Sequence, residues 1–184
     1  MEIGGGFGGK LAVYLEPLAA LLSKKSGHPV KMAMDRGDVL EATGPTSGSH
    51  MKIKIGVTNE GRITASHAYF AFEAGAFPGS PVTGAASAVY SPYNITNVQV
   101  DGLDVVDNKP KTTAYRAPGA PIVMFAVESV IDEIAEILSI DPIDLRLSNV
   151  AKEGTRRADG VINNCIGAQE VMEAVKVHPH YSAP

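Results

Sequence analysis

Residues 50–72 read HMKIKIGVTNEGRITASHAYFAF. From His50 to Thr58 the residue types alternate, with Met51, Ile53, Ile55 and Val57 on one side and Lys52 and Lys54 on the other. A period of two is the mark of a strand with one buried face. Asn59-Glu60-Gly61 is turn chemistry, and Arg62 to Phe72 continues as the return strand, so the segment is predicted to be an antiparallel hairpin. A two-stranded hairpin needs further partners to be stable, so the flanking chain must supply packing elements.

Downstream, Glu73 to Pro92 is rich in Gly, Ala, Pro and Ser and reads as irregular, with a short helix near Ala85–Val89. Ile95 to Val106 offers one or two more strands, and Lys109 to Pro121 is a proline-bearing loop. Val123 to Leu138 is predicted to be a helix, with its stripe at Val123, Val127, Val130, Ile131, Ile134, Ile137 and Leu138. Asp141 caps a short helix that starts at Pro142 and runs to Asn149. Lys152 to Asn164 is a polar connector, and Ala168 to His178 is a last helix. Upstream, Leu11 to Lys25 shows helical spacing, with Pro17 as a kink and Gly27 as a stop. Pro29 to Asp35 reads as a strand, and Asp35 to Ser49 as a loop with a helical turn at Gly37–Glu41. Strands and helices mix without regular βαβ alternation, so the expected class is α+β: a mixed or antiparallel sheet with packed helices. Residues 1–184 are expected to form a single domain that is one lobe of something larger, with 1–149 as core and 150–184 as connector and C-terminal helix.

With 184 residues, 45% hydrophobic and 20% charged, the composition is globular. A net charge of −4 argues against nucleic acid or an anionic membrane as partner. No apolar run is long enough to span a bilayer and no leader pattern is evident, so a cytoplasmic location is expected. Cys165 is the only cysteine, which excludes an internal disulfide or a cysteine-built metal cluster. His28, His50 and His67 lack partners at ligand spacing, and the His178/His180 pair falls in the tail.

Gly4-Gly5-Gly6-Phe7-Gly8-Gly9-Lys10 holds five glycines in seven residues. Glycine adds nothing to a core but lets a ligand approach the backbone, so this segment is a candidate loop for a group rich in hydrogen-bond acceptors. Gly4, Gly6 and Gly9 satisfy the dinucleotide fingerprint with Asp35 as ribose acid, but the spacing to Asp35 is long and the feeding strand is missing. Gly4 through Lys10 also matches a phosphate loop until Leu11 replaces the magnesium-binding hydroxyl. The missing strand suggests a chain cut from a longer polypeptide.

A third template pairs this loop with Thr113-Ala114-Tyr115-Arg116-Ala117-Pro118-Gly119-Ala120-Pro121. Together with Pro29-Val30-Lys31…Asp35-Arg36, Asp132-Glu133-Ile134-Ala135 and Asp141-Pro142-Ile143-Asp144-Leu145-Arg146…Asn149, in that order along the chain, these segments resemble the molybdenum-cofactor-binding large subunit of the xanthine dehydrogenase/aldehyde oxidase family. The resemblance implies a molybdenum–pyranopterin cofactor, as molybdopterin or its cytosine dinucleotide form, with FAD and [2Fe–2S] clusters on partner subunits or domains. It implies oxidation of an aldehyde or N-heterocycle by oxygen insertion into a C–H bond. Gly5, Gly6, Phe7, Gly8, Gly9, Arg116 and Ala117 would contact the cofactor, with Arg116 catalytic and no metal ligand from side chains.

Departures from the family pattern concern substrate. Purine-oxidising members carry glutamate where Leu11 stands and a stacking phenylalanine where Pro118 stands; a substrate-anchoring arginine aligns near Gly84. These three positions are the expected substrate side. Carbon-monoxide-oxidising members carry cysteine at the position of Ala117. Another heterocycle or an aldehyde is therefore expected, with Tyr90, Tyr93 and Tyr115 as candidate wall residues. The family's glutamate base has no match, and Glu16, Glu41 and Glu73 are not assigned to it. Two other readings stand beside this one: a nucleotide-dependent oxidoreductase with a truncated Rossmann unit, and a non-catalytic remnant or assembly module. The molybdenum reading requires the two loops to converge on one cavity.

Overall fold

The computed structural model describes residues 4–181 and Ala183. The hairpin is present as β1 (Ser49–Val57) and β2 (Ile63–Gly75), paired antiparallel from Ser49–Phe72 to Val57–Ile63. Gly61 turns the chain at φ 81°, and a Cβ there would come within 2.9 Å of Ile140 and Leu145, so both conformation and space require glycine. Alternate residues of β2 face inward, and Ala68, Phe70, Phe72 and Ala74 are wholly buried. Ile95 to Val106 resolves into one strand, β3 (Asn97–Val106), which pairs parallel with β2 from Ala65–Asn97 onward. The sheet order is therefore β1-β2-β3 and its character mixed. A parallel pair cannot be joined by a tight turn, and the crossover carries the short helix α3 (Val82–Ala88).

Across the inner face lies α4 (Ala120–Leu138), which buries Val123, Val127, Ile131, Ile134 and Ala135. The spacing of three and four residues turns one side of the helix to the sheet. Its partners are Phe70, Phe72, Val89, Tyr90, Tyr93 and Leu145. Helix α5 (Pro142–Asn149) starts as expected: the Asp141 carboxylate accepts from Ile143 N at 2.9 Å and Asp144 N at 3.1 Å. The last helix, α6 (Ala168–Lys176), contributes no buried residue.

The segment Asp132–Asn149 is structural. Asn149 is fully buried, and its amide donates to the Gly61 and Leu145 carbonyls at 2.8 and 2.9 Å while its carbonyl accepts from Ile63 N at 2.8 Å. One side chain thus ties the hairpin turn to α5. Arg146 bridges Glu128 and Asp132 on α4, each at 2.8 Å. Glu128 also accepts from the Tyr93 hydroxyl at 2.7 Å.

Three expectations fail. The first helix, α1, spans Glu16–Ser26 rather than starting at Leu11, and Pro17 sits in its first turn instead of kinking its middle. Proline is tolerated there because the first-turn N–H groups lack intrahelical partners in any case. Gly27 ends the helix at φ 71° as read. Its apolar stripe finds no cover: Leu18, Leu21 and Leu22 are all about half exposed or more. Pro29 to Asp35 is not a strand, because among the described residues no neighbouring strand pairs with it, and Pro29 has no N–H to offer. The helical turn after Asp35 is a full helix, α2 (Arg36–Ala42), closed by a reciprocal capping box between Asp35 and Asp38. Among the described residues no helix is long and apolar enough to cross a membrane.

Candidate functional site

The arginine loop is held at its base before it reaches the site. Thr112 N donates to Ala74 O at 3.0 Å, Thr113 N to Pro45 O at 2.9 Å, and Thr113 Oγ1 to Gly44 O at 2.8 Å. Gly44 and Gly75 permit this threading: a Cβ would come 2.3 Å from Lys111 O at Gly44 and 2.2 Å from Pro110 O at Gly75. The chain is then released, turns at Ala117 (φ 50°) and Gly119 (φ 84°), and enters α4. Behind this turn, a Cβ on Gly119 would lie 2.5 Å from Pro81 O, and one on Gly84 2.7 Å from Pro118 O.

The glycine loop comes to meet it. Gly4, Gly5, Phe7 and Gly8 all have positive φ, Phe7 at 51°. A Cβ on Gly8 would stand 1.8 Å from the Ala114 carbonyl oxygen, so the two loops touch backbone to backbone at this point. The contact explains why Gly8 in particular must lack a side chain. Gly6 and Gly9 have nothing within 4 Å of an added Cβ and face open space. Gly5 is crowded by the Phe7 ring, 2.6 Å from its virtual Cβ. The Lys10 ammonium donates to the Gly5 carbonyl and lies 5.8 Å from the Phe7 ring centre.

Between the loops opens a cleft of about 550 Å³ lined by Phe7, Gly8, Leu11 and residues 114–118. Phe7 and Leu11 are each 80% exposed and Tyr115 is 66% exposed. Arg116 is the single charged residue of the lining, and no hydrogen bond or ion pair engages its side chain among the described residues. Two non-glycine residues, Phe7 and Ala117, sit in the left-handed region on either side of the cleft. Such strain collects at sites where geometry serves a ligand. Among the described residues no group of three His, Cys, Asp or Glu side chains gathers as a metal site. The donor set is therefore one guanidinium and accessible backbone with no carboxylate. It fits a group that is rich in oxygen acceptors and holds its own metal.

The structure brings Phe7, Gly8, Leu11, Tyr115, Arg116, Ala117 and Pro118 onto one cleft. Gly84 supports Pro118 from behind and does not line the cleft. Tyr90 and Tyr93 are core residues, each 3% exposed. Burial, and then the Glu128 carboxylate, push the Tyr93 phenol far above its ordinary range. Glu73 is ion-paired to Lys109, and Glu16 accepts from Tyr14 N at 2.9 Å. Sequence reasoning passed over Gly44 and Gly75 and read Thr113 only as part of a motif, not as an anchor, because their partners lie far away in the chain. Among the described residues no strand follows the glycine loop before β1, so the strand that the nucleotide-binding alternative needs ahead of Asp35 is not formed.

The molybdopterin cofactor-binding domain family matches residues 1–150. The nicotinate dehydrogenase large molybdopterin subunit of Eubacterium barkeri is 32% identical over 177 residues, which are 94% of this chain and 42% of that one. The aldehyde oxidoreductase of Megalodesulfovibrio gigas is 28% identical over 184 residues, or 98% of this chain and 20% of that one. Among solved structures, the aldehyde oxidoreductase from Desulfovibrio desulfuricans aligns at TM-score 0.87 and 27% identity, covering 97% of this chain and 20% of that chain. Quinoline 2-oxidoreductase from Pseudomonas putida, at 23% identity and TM-score 0.88, shares the fold over 95% of this chain and 24% of its own. The chain thus spans less than half the length of each of these proteins. The agreement of a match over residues 1–150 with the shared α+β architecture means that this chain belongs to the molybdopterin cofactor-binding domain family, of the xanthine dehydrogenase and aldehyde oxidoreductase type.

Proposed function

We propose that this chain is the lobe of a molybdenum hydroxylase that presents two loops to the molybdenum–pyranopterin cofactor. The observation that carries the reading is the backbone contact of Gly8 with Ala114, which forces the glycine and arginine loops onto one cleft. When bound, the cofactor supplies oxygen insertion into a C–H bond of an aldehyde or N-heterocycle and takes up the electrons.

The protein's part is to bind and orient. Gly6 and Gly9, which face open space, let the main chain come close to the group, Gly5 and Gly8 fit the loop against Phe7 and Ala114, and Phe7, held at positive φ, shapes the loop tip. Arg116 offers a fork of N–H donors to oxygen acceptors, and the Ala117 turn aims the adjacent backbone. Donors fixed before the reaction stabilise developing negative charge without reorganising. Thr113, anchored to Gly44 and Pro45, keeps that arm in place.

The substrate side is apolar. Leu11 and Pro118 line the cleft and Gly84 backs Pro118, so at these three positions no polar side chain is offered to a purine. A less polar heterocycle or an aldehyde suits this wall, with Tyr115 beside it. The base, the remaining cofactor contacts, and the iron–sulfur and flavin centres belong to the rest of the large subunit and to partner subunits or domains, in a cytoplasmic enzyme. The uncovered leucines of α1 support such a larger partner.

Metal analysis tests the proposal. About one molybdenum per large subunit in the purified enzyme, lost in a deletion of residues 4–9, supports it. A full-length protein without molybdenum is a non-catalytic relative and removes it.

A further inference from the structure

A second recess lies elsewhere, at the start of β3, and shares no lining residue with the cleft. It encloses about 380 Å³ and is lined by Asn94, Ile95, Thr96, Val98, Arg156, Arg157 and Ala158. The loop that supplies the arginines is well braced. Arg157 N donates to Val161 O at 2.8 Å, Gly160 N to Arg157 O at 3.0 Å, and Arg156 bridges to Ile162. Gly160, at φ 85°, makes the turn, and a Cβ there would lie 3.4 Å from an Arg156 terminal nitrogen. The two guanidiniums therefore stand on one rigid hairpin rather than on a loose chain.

Their charge is not balanced locally. Arg157 pairs with Asp159 through one terminal nitrogen, while its Nε is shielded from solvent with no hydrogen-bond partner. A donor without a partner is costly to bury, so Asp159 alone leaves this guanidinium under-satisfied. No hydrogen bond or ion pair engages Arg156 among the described residues. The side chains of Asn94 and Thr96 add neutral donors to the same wall and no hydrogen bond uses them among the described residues. No carboxylate lines the recess.

We propose that this recess is an anion site for a tetrahedral oxyanion of the phosphate type. Two guanidiniums bind such a group through paired N–H donors, which is stronger and more directional than a point charge. Asn94 and Thr96 would complete the donor set from the strand side. The recess is large enough for a phosphate with part of an attached group, so free inorganic phosphate and the phosphoryl group of a mononucleotide are the two sources.

The test is a titration of the protein with inorganic phosphate and, separately, with AMP, at constant chloride and low ionic strength. Backbone amide shifts or heat are the readout. Expected is saturable one-site binding whose largest shifts fall at residues 94–98 and 156–162. Tighter binding of AMP assigns the site to a nucleotide phosphate, and equal or weaker binding assigns it to the free ion; both support the site. Arg156→Gln removes an exposed, unpaired guanidinium and leaves the core untouched, so it should fold normally and weaken binding at least about tenfold, the equivalent of about 1.4 kcal/mol. Arg156→Lys should restore only part. Non-saturable shifts that track ionic strength alone, or Arg156→Gln binding with unchanged affinity, would overturn the proposal. Because Arg156→Gln lies outside the molybdenum cleft, its failure to bind phosphate and a failure of molybdenum loading are separate readouts.

Discussion

Replacing Gly8 with alanine tests the joint between the two loops. The added Cβ would lie 1.8 Å from the Ala114 carbonyl oxygen, whereas ordinary contact begins at 3.4 Å, so the loops must part by about 1.6 Å. Alanine must also hold φ near 80°, which costs roughly 1–2 kcal/mol. Neither penalty reaches the core, since Phe70, Phe72, Val123 and Val127 lie outside the cleft. The loops should therefore separate while the fold survives. A displacement of 1 Å at a positioned group can cost ~10²-fold in rate, so Gly8→Ala should lose about two orders of magnitude in kcat/KM, with reduced molybdenum content and a Tm lowered by only the few degrees that the backbone strain costs. Gly27→Ala is the control: φ is 71° but nothing lies within 4 Å of the new Cβ. It should cost about 1 kcal/mol of stability and leave cofactor loading intact. Wild-type molybdenum content and activity in Gly8→Ala would refute the idea that this contact sets the cleft.

Other perturbations address separate parts of the molecule. Arg116→Ala should lower kcat by about 10²–10³-fold, the scale of removing a preorganised donor; wild-type turnover would deny Arg116 a role in catalysis. Asn149→Ala should destabilise by about 2–4 kcal/mol in urea melts, because the Ile63 N–H and the Gly61 carbonyl lose a buried partner together. Tyr93 gives an alkaline signature. Its phenol is neutral in folded and unfolded chains below its ordinary value of 10.0, and its folded value is held higher by burial and by Glu128. Above pH 10 only the unfolded chain releases this proton, so stability falls as pH rises. Tyr93→Phe should flatten that part of the decline, and an unchanged alkaline slope would show that the phenol is not the group responsible.

Where a residue's partner is near in sequence, or its pattern repeats, the reading from sequence held. The alternation at Met51, Ile53, Ile55 and Val57, the Asp141 cap, the Gly27 stop and the α4 stripe, apart from Ile137, which faces solvent near the helix end, are all local signals with a direct backbone meaning. The same locality explains the failures. Pro29 to Asp35 has a strand-like composition, but a strand exists only through a neighbour's hydrogen bonds, and none is present among the described residues. Leu11 to Leu15 share the spacing of α1, yet the helix waits for Pro17 to set its first turn.

The motifs GGGFGGK and TAYRAPGAP, read in order with the segments at residues 29–36 and 132–149, were enough to resemble one cofactor family, because each is a run of specific residue types at specific spacing. Their meeting was decided only in three dimensions. Gly8 reaches Ala114 because Thr112 and Thr113 are bonded to Ala74 and Pro45 and because Gly44 and Gly75 leave room for the strand of chain between them. Those restraints join residues separated by tens of positions, and no local propensity encodes them. The charge balance of the Arg156–Arg157 recess is likewise a property of placement: the sequence shows two adjacent arginines, and the fold shows that one acid answers them.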